Sequence, residues 1–64
     1  MYPIYKVKYS THSQSPCYAV VSADSSRKVE GLLEKEVGEE SFEKVWEAKD
    51  TGYKADKEGV IFNY

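Results

Sequence analysis

One cysteine and one histidine in a chain of 64 residues leave it without the usual staples of a very small protein. A single thiol closes no intramolecular disulfide, and one Cys with one His falls short of a structural zinc site. Short domains without such crosslinks rarely gain more than ~3–5 kcal/mol from their cores. A chain of this size also buries only ~60% of the surface it exposes when unfolded. Packing alone, or packing with self-association, must therefore hold it together, and its length fits one domain over residues 1–64. Hydrophobic residues make up 41% and charged residues 31%, the balance of a folded globular chain rather than a disordered one.

Periodicity gives the elements. Tyr5, Val7 and Tyr9 alternate with Ile4, Lys6 and Lys8, the period of a strand, at whose start Pro3 is tolerable. "STHSQSP" (residues 10–16) reads as an exposed loop. From Cys17 to Ala23 a second strand sets Cys17, Ala19, Val21 and Ala23 on one side and Tyr18, Val20 and Ser22 on the other. The two are expected to pair as a long-looped antiparallel hairpin.

In "DSSRKVEGLLEKEVG" (residues 24–38) the period changes. Val29, Leu32, Leu33 and Val37 form an apolar helical stripe, with Asp24 or a serine to cap its start and Gly38 to end it. Two residues fit this helix poorly. Gly31 on its outward side costs about 1 kcal/mol against alanine. Glu36 projects into the apolar stripe near the negative end of the helix dipole.

"SFEKVWEAKD" (residues 41–50) is legible in two ways. A helix would group Phe42, Val45, Trp46 and Lys49; a strand would put Phe42, Trp46 and Ala48 on one face, with Lys44 interrupting. Its Phe, Val and Trp suit a pleated surface, which favours the strand. "DTGYKADKEG" (residues 50–59) is turn material, and "VIFNY" (residues 60–64) closes the chain as a last strand. The expected fold class is α+β, a small β-β-α-β-β domain with a single helix packed on one face of a mainly antiparallel sheet.

No constellation of catalytic groups stands out. His12 and Cys17 invite a nucleophilic pair, yet His12 lies in a serine-rich loop with nothing to orient it and Cys17 opens a strand. Glu34, Glu36, Glu39, Glu40, Glu43 and Glu47 lie among lysines in a wet region, unlike paired acids whose pKa values burial drives apart. Asp50, Asp56 and Glu58 do not match a calcium-loop spacing, and "GYKADKEG" lacks the ending of a phosphate-binding loop. A non-enzyme without cofactor or metal is expected. The uncharged run Tyr9–Ala23 is too polar to span a bilayer. With no signal-peptide pattern at the start, the lone thiol points to a reducing cytoplasm.

Charge is uneven along the chain. Of nine basic and eleven acidic residues, Lys6, Lys8, Arg27, Lys28 and Asp24 fall in residues 1–28, which leaves five lysines and ten acids beyond. Aromatic residues are the remaining signal. Six tyrosines with Phe42, Phe62 and Trp46 exceed what one helix can cover, and tyrosine suits surfaces that are sometimes covered. If the helix side takes Cys17, Ala19, Val21 and Trp46, the bare face holds Tyr18, Val20 and some of Tyr5, Tyr9, Tyr53 and Tyr64.

The leading expectation is a binding or regulatory module that associates with another protein, or with itself as a homodimer, through this tyrosine-rich face. Its binding residues would be Tyr5, Tyr9, Tyr18, Tyr53, Tyr64, Lys6 and Lys8. A second expectation is single-stranded nucleic acid on the same face, with Lys6, Lys8, Arg27 and Lys28 holding phosphates. Net acidity counts against it. A third is nucleic-acid mimicry by the acidic half.

Overall fold

The computed structural model describes residues 1–63. Four strands and one helix follow one another as β1 (Tyr2–Thr11), β2 (Cys17–Ser22), α1 (Ser26–Val37), β3 (Phe42–Ala55) and β4 (Gly59–Asn63). The strands form one sheet in the order β3-β1-β2-β4, with every neighbouring pair antiparallel. The α+β class is that expected, and residues 42–49 are strand.

The β1–β2 hairpin sits at the centre. Tyr5, Val7 and Tyr9 pair with Val21, Ala19 and Cys17, so these six share the face that α1 covers, and all are buried. Val29 and Leu33 descend from the helix onto them, and Phe42 closes one end, its ring stacked on that of Tyr9 at 6.2 Å between centroids. Leu32, Val37, Val45, Ala48 and Val60 pack around this core while half-buried. Glu36 escapes the apolar stripe into solvent, where a carboxylate keeps its hydration. Ser25 takes the N-cap position with extended backbone but makes no side-chain cap bond. At the other end Gly38 returns its N–H to the Glu34 carbonyl and leaves the helix at φ 97°, a positive φ that glycine adopts without a Cβ penalty.

The reading of residues 50–59 as turn is corrected. β3 runs on to Ala55, because Thr51 Oγ1 donates to the Ile4 carbonyl at 2.8 Å. Gly52, at φ 87°, lets the strand bulge there rather than end. Only residues 56–58 connect β3 to β4, which lie on opposite edges of the sheet. Three inter-strand gaps come to ~14 Å, about the full reach of the four Cα steps from Ala55 to Gly59. A flat sheet would leave that link taut. Three register shifts in the β1–β3 ladder and one between β2 and β4 interrupt the regular pairing, and bulges of this kind bend and twist strands. The link is fastened by buried Ser22, whose Oγ donates to the carbonyls of Lys57 and Gly59.

Candidate functional site

Among the described residues no helix or strand lies over the second face of the sheet. Register lays its side chains out in rows. One row runs Lys49, Lys6, Val20, Phe62 across β3, β1, β2 and β4, and the next runs Glu47, Lys8, Tyr18. Beyond them Lys44 pairs with Ser10, whose hydroxyl donates to Glu43 Oε1 at 2.7 Å. The β1–β3 half is thus basic. The β2–β4 half is apolar, with Tyr18 and Val20 half-buried and Phe62 exposed.

Trp46 joins this face through a bulge. Lys8 pairs with Glu47 and Tyr9 with Val45, so Trp46 is the extra residue between them. Its ring has the Lys44 ammonium 4.7 Å and the Lys8 ammonium 5.8 Å from its centroid, a cation–π arrangement, and it is 54% exposed. A shallow depression of about 170 Å³ on the same face is lined by Lys6, Val7, Lys8, Tyr18, Glu47 and Lys49.

Several expected site residues lie elsewhere. Tyr5 and Tyr9 are not on the bare face: they are buried under α1, with 9% and 2% of their surface exposed. Alternation in β1 had set them opposite the lysines, and pairing with Val21 and Cys17 fixes that side as the covered one. The Tyr9 hydroxyl is used internally, donating to Asn63 Oδ1 at 2.6 Å. Burial, and after it the neighbouring Cys17 thiol, pushes the Tyr9 phenol above the ordinary tyrosine range.

Trp46, expected under the helix, is on the opposite side. Tyr53 is 75% exposed near the far end of β3, and Tyr64 lies outside the described residues. Arg27 and Lys28 are in the first turn of α1, on the covered side and so away from Lys6 and Lys8. The Lys28 ammonium is bound to Asp24 at 3.2 Å and faces Glu58 at 3.8 Å, contacts that raise its pKa. Lys6, Lys8 and Tyr18 are the expected binding residues that do share the uncovered face.

Residue reading missed Lys44, Lys49, Glu47, Trp46 and Phe62 as members of this face. It also read charge by chain half, whereas the fold sorts it by side. Lys6, Lys8, Lys44 and Lys49 stand with Glu43 and Glu47 on the open face. Glu30, Glu34, Glu36, Glu39 and Glu40 belong to α1 and the turn after it.

The two residues that invited nucleophilic chemistry are apart in character. Cys17 is buried with Sγ 3.7 Å from the Gln14 carbonyl. His12 is exposed in the loop, its backbone N–H bonded to the Ser41 carbonyl. No described helix is long and apolar enough to cross a membrane. No protein-family model matches the chain, and neither does any curated protein or solved structure.

Proposed function

We propose that this chain is a small non-catalytic binding module whose uncovered sheet face takes single-stranded nucleic acid. The observation that carries this reading is Trp46, half-exposed with the ammonium groups of Lys8 and Lys44 close to its ring, on the face that also holds Tyr18, Phe62, Lys6 and Lys49. Bases stack on exposed aromatic rings whatever their sequence, and lysines alongside hold the phosphates. The acids of α1 lie across the sheet from this face, so net acidity does not oppose the contact. Small size and an unpaired thiol fit an accessory protein of a reducing cytoplasm.

Association of two copies through the same face is a poorer fit. A two-fold pairing either opposes the lysines of the two copies, and like charges so opposed cost free energy, or lays them against Tyr18, Val20 and Phe62 of the other copy, where their desolvation costs it. Self-association is better served by the sheet edge. β4 carries no charged residue, and Ile61 and Phe62 are 53% and 56% exposed on it. Such an edge is open to a further strand from a second copy.

Quenching of Trp46 fluorescence by short oligothymidylates at low salt is the direct test. Lys6→Glu combined with Lys8→Glu is expected to abolish it, and Trp46→Ala to weaken binding, measured by anisotropy, by ~1–3 kcal/mol. Full affinity in both variants would overturn the reading. A mass that doubles with concentration and reverts to monomer in Ile61→Lys would instead support pairing through β4.

A further inference from the structure

Resting on the nucleic-acid reading of the open face, we infer that the depression lined by Lys8, Tyr18, Glu47 and Lys49 seats one guanine base, with the Glu47 carboxylate reading its Watson–Crick edge. Glu47 is the anomaly of this surface. It stands cross-strand from Lys8 and two residues from Lys49, yet it forms no ion pair among the described residues. Glu43, the other acid of the face, is occupied by the Ser10 hydroxyl. On a surface that grips phosphates, a carboxylate amid the lysines repels the same phosphates they attract. An uncommitted acceptor there has a use when the ligand brings neutral N–H donors to it.

Guanine is the base whose edge fits. Its N1–H and N2–H point side by side, matching the two oxygens of a carboxylate in a charge-assisted bidentate pair. Its adjacent O6 accepts from an ammonium, which Lys8 or Lys49 supplies. Thymine and uracil offer one N3–H between two carbonyl oxygens that Glu47 would repel. Adenine and cytosine offer an amino group beside an unprotonated ring nitrogen, so one carboxylate oxygen finds no donor. The depression, at about 170 Å³, has room for a single base against the ring of Tyr18. Single strands leave that edge free to be read.

The test uses thymine heptamers whose central position is guanine, hypoxanthine (which lacks the N2 amino group) or thymine, with affinity read by anisotropy at fixed low salt. The wild-type chain is expected to bind guanine tightest, hypoxanthine less well and thymine least, with guanine over thymine at about tenfold or more. Glu47→Gln is expected to erase the preference for guanine over hypoxanthine, whatever common gain in affinity the lost negative charge gives all three strands. If Glu47 merely screens the lysines from one another, the wild-type chain shows no guanine preference and Glu47→Gln shifts all three strands together. That result overturns the inference and leaves the nucleic-acid reading standing. Absence of binding to any of the three overturns both.

Discussion

At the scale of single residues, burial separates positions that look equivalent in the helical stripe. Leu33 is fully buried and Leu32 only half so. Leu33→Ala is therefore expected to cost ~2–5 kcal/mol, enough to unfold much of the population of so small a domain. Leu32→Ala should cost clearly less, and urea melts of the two variants compare them directly. Tyr9 makes a pH prediction. Its phenol is held protonated in the fold beyond the ordinary tyrosine pKa, so above that value the unfolded chain binds fewer protons than the folded one. Its contribution is fully present below about pH 10 and is lost as the pH rises from there through the folded-state value. Tyr9→Phe should flatten this alkaline loss while costing about 1 kcal/mol near neutral pH for the bond to Asn63; melts across an alkaline pH series would show both.

At the scale of elements, α1 is made weaker than it need be. A Cβ added at Gly31 meets nothing within 4 Å, and the position is exposed within the helix. Gly31→Ala is expected to raise stability by about 0.5–1 kcal/mol. Gly38→Ala should do the reverse, since its φ of 97° is unfavourable for any side chain. A rise for both in thermal melts would mean that the helix does not end where Gly38 ends it. β3 carries the more consequential irregularity. Glu43 and Trp46 are each an extra residue against β1, and each bulge restarts the alternation of faces. Phe42 and Val45 therefore face the core while Lys44, Trp46 and Glu47 face solvent.

At the scale of the whole molecule, the sheet divides an acidic side from a basic one. Four lysines on the open face predict a salt dependence of single-strand affinity with a log–log slope of about −3, since each neutralised phosphate releases counterion. Lys35→Glu, on the last turn of α1, should leave affinity and slope nearly unchanged. Lys49→Glu should weaken binding and flatten the slope by about one unit. A slope near zero would mean that apolar contact, not charge, holds the ligand. Equal effects of the two substitutions would mean that binding senses net charge rather than the open face.

Short-range pattern along the chain settles its local order. Alternation in residues 4–9 and 17–23, a helical stripe from Val29 to Val37 and a glycine at its end are each written within a few neighbouring residues. Hairpin, helix and closing strand follow from them. That one cysteine closes no intramolecular disulfide is equally a matter of counting. Tertiary structure alone decided which residues meet on the open face. Reading Phe42, Trp46 and Ala48 by strict period two puts all three together, and only pairing against β1 reveals the extra residues that turn Trp46 outward beside two lysines. The burial of Tyr5 and Tyr9 had the same origin. Alternation says which side chains of one strand share a face, but only the register that sets Tyr5 opposite Val21 and Tyr9 opposite Cys17 puts those tyrosines on the side the helix covers. The helix takes the side with the small residues Ala19, Cys17 and Ala23, where Val29 and Leu33 pack, and leaves the lysines of β1 in water, where their hydration costs nothing.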